Sequence, residues 1–137
     1  FNFTNNEKEI MASASHNAYI KNYGFIHKRE ISLNKQNNTV NGADHLIKKK
    51  SESQINYTIR FHLCPGINAI KTRGGNNILI QFKKNKSLVF SANKQNLNVE
   101  KSIFLGGNKI LNNFCIVISG KLINNEETIS WDIKKNI

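Results

Sequence analysis

Proline occurs once, at Pro65, and cysteine twice, at Cys64 and Cys115. With so little proline, the punctuation of the chain has to come from glycine and asparagine, which reach the left-handed backbone conformations that tight turns need. The two cysteines lie far apart and form no CxxC pair, so neither a zinc knuckle nor a redox motif is written here. Both stand beside apolar residues, in Leu63-Cys64 and Phe114-Cys115-Ile116-Val117, and are expected as free, buried thiols. No apolar run approaches the ~20 residues that a membrane helix requires, which predicts a soluble piece with no membrane partner. The opening at Phe1 carries no signal-peptide succession, which leaves the compartment open.

Acidic residues are also scarce, nine against 20 basic ones, for a formal charge of +11. Such an excess ordinarily suggests nucleic acid or another polyanion. Here it consists of 17 Lys against three Arg in a chain rich in Asn and Ile, a bias that an AT-rich genome produces. The lysines are scattered, Lys48-Lys49-Lys50 is the one tight run, and no aromatic residues interleave with it as a base-stacking platform would require. A nucleic-acid partner is not expected, and the run reads as a solvated loop.

What the chain does have is alternation. Ile55, Tyr57, Ile59 and Phe61 point one way while Asn56, Thr58, Arg60 and His62 point the other, the mark of a half-buried strand. Period two returns in Ile78, Ile80 and Phe82, in Leu97, Val99 and Ile103, and in Ile129, Trp131 and Ile133. Turn signals separate these runs at Asn37-Asn38, Gly74-Gly75-Asn76-Asn77, Asn85, Gly106-Gly107-Asn108 and Asn124-Asn125. The pattern predicts strands over 16–23, 25–33, 40–48, 55–63, 67–72, 78–83, 87–91, 97–105, 114–120 and 128–134, and no helix. About ten short antiparallel strands in one all-β domain spanning 1–137 imply a β-sandwich or stacked sheets. The first residues, 1–13, are weakly patterned and read as a strand or linker belonging to something upstream, and 48–54 as a polar connection.

Polar side chains with chemical potential gather in the first half: His16 and Tyr19, His27 and Arg29, Asp44 and His45, Arg60 and His62. Residues two apart on a strand share a face at roughly 6 to 7 Å. His27 with Arg29, and Arg60 with His62, could therefore each bind a carboxylate or sulfate, Arg as a two-pronged fork and His as a titratable donor. The plainer reading is that they are exposed cross-strand partners on a wet sheet face. His16, Asp44 and His62 are residue types that zinc accepts, yet no local spacing supports a metal in this chain. Ser-His-Asp catalysis lacks a nucleophile elbow, and Gly74-Gly75 and Gly106-Gly107 lack the Lys-Ser or Lys-Thr step of a phosphate loop.

The order of segments is more specific than any one of them. His16-Asn17-Ala18-Tyr19, Gly24-Phe25-Ile26-His27-Lys28-Arg29, Asn41-Gly42-Ala43-Asp44-His45-Leu46, Ile59-Arg60-Phe61-His62-Leu63-Cys64-Pro65-Gly66, Val99-Glu100-Lys101-Ser102-Ile103-Phe104-Leu105-Gly106-Gly107 and Ile129-Ser130-Trp131 follow one another from about Ala14 onward. This succession resembles the carboxyl-terminal domain of the heparinase II/III-like family. Cys64 departs from it, since a His often stands there in the family signature.

The resemblance implies a larger polysaccharide lyase with an amino-terminal α/α toroid, which cleaves uronate-containing glycans by β-elimination, in the periplasm or cell envelope. It implies that the catalytic Asn or His and Tyr lie on the toroid, and that a His/Asp/His zinc site lies just upstream of this stretch. The piece itself is then expected to hold no cofactor and no catalytic residue, to take an acidic polysaccharide and the toroid as partners, and to be inactive alone. A stand-alone carbohydrate-binding sandwich is the alternative, and it would want exposed aromatics. Trp131, alternating with Ile129 and Ile133, is expected in the core instead.

Overall fold

A computed structural model describes residues 1–50, 54–82, 86–94 and 96–136 of the chain. The polar connection expected over 48–54 lies in part outside the described residues, as do Asn85 and the last position of the strand expected over 78–83.

Eleven strands are present among the described residues: β1 (Asn2–Asn5), β2 (Glu9–His16), β3 (Phe25–Asn34), β4 (Thr39–Lys48), β5 (Ile55–His62), β6 (Asn68–Lys71), β7 (Asn77–Gln81), β8 (Ser87–Ala92), β9 (Leu97–Phe104), β10 (Leu111–Leu122) and β11 (Glu126–Lys135). They form two antiparallel sheets, one of eight strands in the order β1-β2-β3-β4-β11-β8-β7-β6 and one of three in the order β5-β10-β9. The all-β sandwich that the alternation predicts is the fold. No helix among the described residues is long and apolar enough to cross a membrane.

The start of the chain departs from expectation. Residues 2–16 are two strands of the large sheet itself, β1 pairing with β2 and β2 with β3. A strand over 16–23 does not form. β2 ends at His16, and a single helical turn, α1 (Ile20–Tyr23), follows. It is closed by Gly24 at φ 71°, whose N–H bonds to Ile20 O at 3.0 Å. This is the left-handed helix stop that glycine allows, and it competes with the extended backbone that the side-chain pattern suggests.

Strand alternation places the core between the sheets. Tyr57, Ile59 and Phe61 of β5 face inward and Asn56, Thr58, Arg60 and His62 outward, as the period of two requires. Ile116 and Ile118 of β10 meet Ile78, Phe90, Ile129 and Trp131 of the large sheet across a dry interior. Trp131 lies parallel to Phe90 at 6.0 Å and edge-on to Phe61 at 4.8 Å, so it is core as expected. Opposite Trp131 in the ladder is Gly42, where a Cβ would fall 2.1 Å from the indole. The missing side chain is what admits the ring.

Both cysteines are free, but only Cys115 is buried. Cys64 sits beyond the end of β5 and is exposed, which corrects the expectation that both are buried. Burial pushes the Cys115 thiol up, because the thiolate loses hydration there. A thiol reagent at mildly alkaline pH is therefore expected to modify one group, Cys64, in the native protein and the second only after unfolding. Two fast-reacting thiols in the native state would contradict the placement of Cys115.

Candidate functional site

The first cluster is organised by β3 and β4, whose register sets Arg29 opposite Asp44, with Ile129 of β11 on the other side. Asp44 is fully buried, at 0% exposure. An isolated carboxylate there would be costly, and this one is saturated. Oδ1 accepts from His27 Nε2 and from Arg29 Nε, both at 2.7 Å; Oδ2 accepts from Arg29 Nη2 at 3.1 Å and from the indole Nε1 of Trp131 at 3.0 Å. Burial alone would raise the pKa of the Asp44 carboxyl. The bonds from His27, Arg29 and Trp131, with the guanidinium charge, overcome that and hold it below the usual carboxylate value.

The arrangement fixes a proton pattern. An ionised carboxylate only accepts, so His27 carries its proton on Nε2, and in the neutral ring Nδ1 is left as an acceptor. His16 Nε2 stands 3.2 Å from that Nδ1, within hydrogen-bond distance. The chain of contacts runs from buried Asp44 through His27 to His16, which is exposed. His16 meets the Tyr19 ring edge-on at 4.9 Å, and Tyr19 stacks on Phe25 at 5.0 Å. Arg29 also lies 5.4 Å over the ring of Phe61 on β5, which ties the large sheet to the edge of the small one.

Where these sheets meet, a cleft of about 420 Å³ opens, lined by Tyr19, Tyr23, His27, Arg29, Tyr57 and Arg60 among others. Tyr19 and Tyr23 are 40% and 53% exposed beside it, enough ring surface to receive an apolar sugar face. Tyr19, at the N-cap of α1, and Tyr23, its last residue, both stand at this rim.

Of the residues singled out by sequence, His27, Arg29 and Arg60 reach this cleft and His62 does not. Arg60 and His62 share the outer face of β5. There Arg60 is 3.4 Å from Glu100, with both side chains about half exposed (47% and 50%), and His62 Nδ1 is 3.3 Å from Ser102 Oγ. Such solvated pairs contribute little, so Arg60 is available to a ligand. His16 and Asp44 are joined through His27, whereas His62 is turned away from them across the small sheet. Among the described residues no three His, Cys, Asp or Glu side chains are placed to hold a metal ion. His45, adjacent to Asp44 in sequence, points to the opposite face, where it meets Glu30 at 2.9 Å and Thr128. Bonds from Lys28 and His45 draw the Glu30 carboxyl below its ordinary range. The residue that sequence reasoning missed is Trp131 as a donor. The available signal was that a buried indole N–H wants an acceptor and a buried Asp wants donors.

The model of the family described as Heparinase II/III-like, C-terminal, matches residues 2–132. The chain belongs to this family. A search of curated proteins finds no match. Among solved structures, a heparan sulfate lyase HepC mutant from Pedobacter heparinus is similar in fold, with a TM-score of 0.76 at 12% identity over 98% of this chain and 21% of that one. This heparinase II/III-like chain thus spans about a fifth of that lyase. The shared architecture is the two-sheet sandwich that carries the cleft.

Proposed function

We propose that this chain is the β-sheet part of a polysaccharide lyase acting on acidic, uronate-bearing glycans, in which it frames and contacts the substrate while other parts of a longer protein perform the elimination. The observation that carries this is the cleft itself: exposed tyrosine rings beside a guanidinium at the rim, backed by two imidazoles that a buried carboxylate holds in place. Aromatic faces take the apolar side of a sugar ring, and Arg60 offers a planar fork to a carboxylate or sulfate. Elimination additionally needs a base at the carbon α to the carboxylate and an acid at the departing oxygen, with the carboxylate neutralised.

The partner within the longer chain is the family's toroid. The row Phe3, Ala12, Ile31, Gly42, Trp131 runs across the inner face of the large sheet. Phe3 and Ile31 at its outer end are 58% and 39% exposed. That stretch of apolar sheet supports docking of a further domain.

The test has two arms. Purified protein incubated with heparin, heparan sulfate, alginate and hyaluronan should yield none of the ultraviolet absorbance of an unsaturated uronate; sustained turnover would overturn the division of labour. Oligosaccharide binding, followed by nuclear magnetic resonance, should weaken in Arg60→Ala and Tyr23→Ala. Both are exposed positions, so stability should stay within about 0.5 kcal/mol of the unaltered protein. Unchanged binding together with a large loss of stability would assign these residues to the scaffold.

A further inference from the structure

β5 stands at the end of the small sheet and, among the described residues, pairs on one side only, with β10. The ladder decides which of its backbone groups are left over. Leu63, the residue after β5, gives its N–H to Phe114 O at 2.9 Å. In an antiparallel pair, residues that bond to the neighbour alternate with residues whose N–H and C=O point away from it. Through the unbroken register, Phe61, Ile59, Tyr57 and Ile55 therefore bond to β10, and His62, Arg60, Thr58 and Asn56 turn their backbone groups outward.

That free edge is a wall of the cleft. All six residues from Ile55 to Arg60 line it without a break, as a strand seen from its side does and a strand seen from one face does not. Across from it stand His27 and Arg29, which share the inner face of β3, with Tyr19 and Tyr23 at the rim. The architecture is a step: three strands lie over eight, and the edge of β5 rises above β3, whose Arg29 sits over Phe61 of β5. Asn56, Thr58 and Arg60 are exposed, and among the described residues none of their amides meets a backbone partner.

We propose that the acidic glycan lies along the free edge of β5, with the outward N–H groups of Thr58 and Arg60 donating to its carboxylate or sulfate oxygens. This rests on the reading of the cleft as a glycan site and adds the backbone groups that hold the sugar chain in it. Successive outward donors are roughly 7 Å apart, so one anionic group meets one of them and a chain of sugars meets them in turn. A hydrogen bond to an ionised oxygen is about twice as strong as one between neutral groups, and Arg29 and Arg60 supply the opposite charge beside it. An unpaired edge is also where a peptide strand adds. Such a strand would set its alternate side chains against an imidazole and a guanidinium, which suit an anion instead.

Amide hydrogen exchange of the 137-residue protein, read residue by residue with and without size-defined heparan sulfate oligosaccharides, tests this. Without ligand, Thr58 and Arg60 should exchange fast, and Ile59 and Phe61 slowly; saturating oligosaccharide should slow the first pair and leave the second unchanged. Thr58→Pro removes one outward N–H and no ladder bond, a change that edge strands accept. It should weaken binding about tenfold, the loss expected for one hydrogen bond to a charged group, whereas Thr58→Ala should change it by less than about twofold. Should Thr58→Pro fail to fold, the exchange measurement decides alone. Ligand-induced shifts at Tyr23 and His27, with Thr58 and Arg60 still exchanging fast, would overturn the edge site and keep the cleft reading. No binding at all would overturn both. Protection of Thr58 and Arg60 in the ligand-free protein, lost on dilution, would give the edge to a strand of a second copy and overturn the proposal. An equal loss of binding in Thr58→Ala would transfer the contact to the hydroxyl and overturn it likewise.

Discussion

Replacing Asp44 with Ala should destabilise the protein by about 3 kcal/mol. Removing one partner of a buried ion pair typically costs about 3–5 kcal/mol, because the remaining charge is stranded. Arg29 and His27 keep side-chain exposures of 34% and 21%, so solvent offsets part of the loss and the value falls at the low end. Chemical denaturation at neutral pH measures it. A change below about 0.5 kcal/mol would mean the network is not structural. The same carboxylate gives a pH signature. Its folded pKa is depressed below the ordinary 3.8, so its contribution is complete above the unfolded value and disappears as pH falls through the folded one. Asp44→Asn should therefore lose the steepest part of the acid denaturation profile below about pH 4. It should also disturb the tautomer of His27, visible in the imidazole nitrogen resonances, whereas loss of a purely steric residue would leave these unmoved.

The second large effect is expected at Gly42. An alanine Cβ would sit 2.1, 2.3 and 2.5 Å from three atoms of the Trp131 indole, distances at which one group must move. The indole has little freedom to do so, held by Asp44 and packed on Phe61 and Phe90. Overpacking of this kind costs typically 1–3 kcal/mol, and about 3 is expected here because a shifted indole also gives up its bond to Asp44. A double-mutant cycle with Trp131→Phe checks the cause. Phenylalanine lacks the fused second ring, so Gly42→Ala should cost at least about 1 kcal/mol less in that background. Strict additivity would place the strain elsewhere in the sheet.

Period two in β5, β7 and β11 made the sandwich legible, because burial of one face imposes it directly. The likeness of ordered segments to the heparinase II/III-like family pointed to the family that residues 2–132 match. Strand spacing also put His27 and Arg29 on one face, and the structure keeps them together on Asp44. What alternation could not supply is which sheet a strand joins. His62 looked equivalent to His16 and Asp44 as a ligand type, yet β5 belongs to the other sheet and turns it outward. Nor could it find the bond between Asp44 and Trp131, which are 87 residues apart in the chain. A helical turn over Ile20–Tyr23 stands where a strand over 16–23 is expected, because Gly24 closes it in the left-handed conformation.

β11 comes last of the eleven strands and yet stands near the middle of the large sheet, between β4 and β8. During synthesis the four-strand meander β1–β4 and the three-strand meander β6–β8 can each form early, but until β11 emerges they remain separate half-sheets with open edges at β4 and β8. The joining step closes a loop of many tens of residues, which slows it relative to hairpin formation. Those waiting edges are the places where a newly made chain is most open to pairing with its neighbours, and where assistance from a chaperone would have the most to shield.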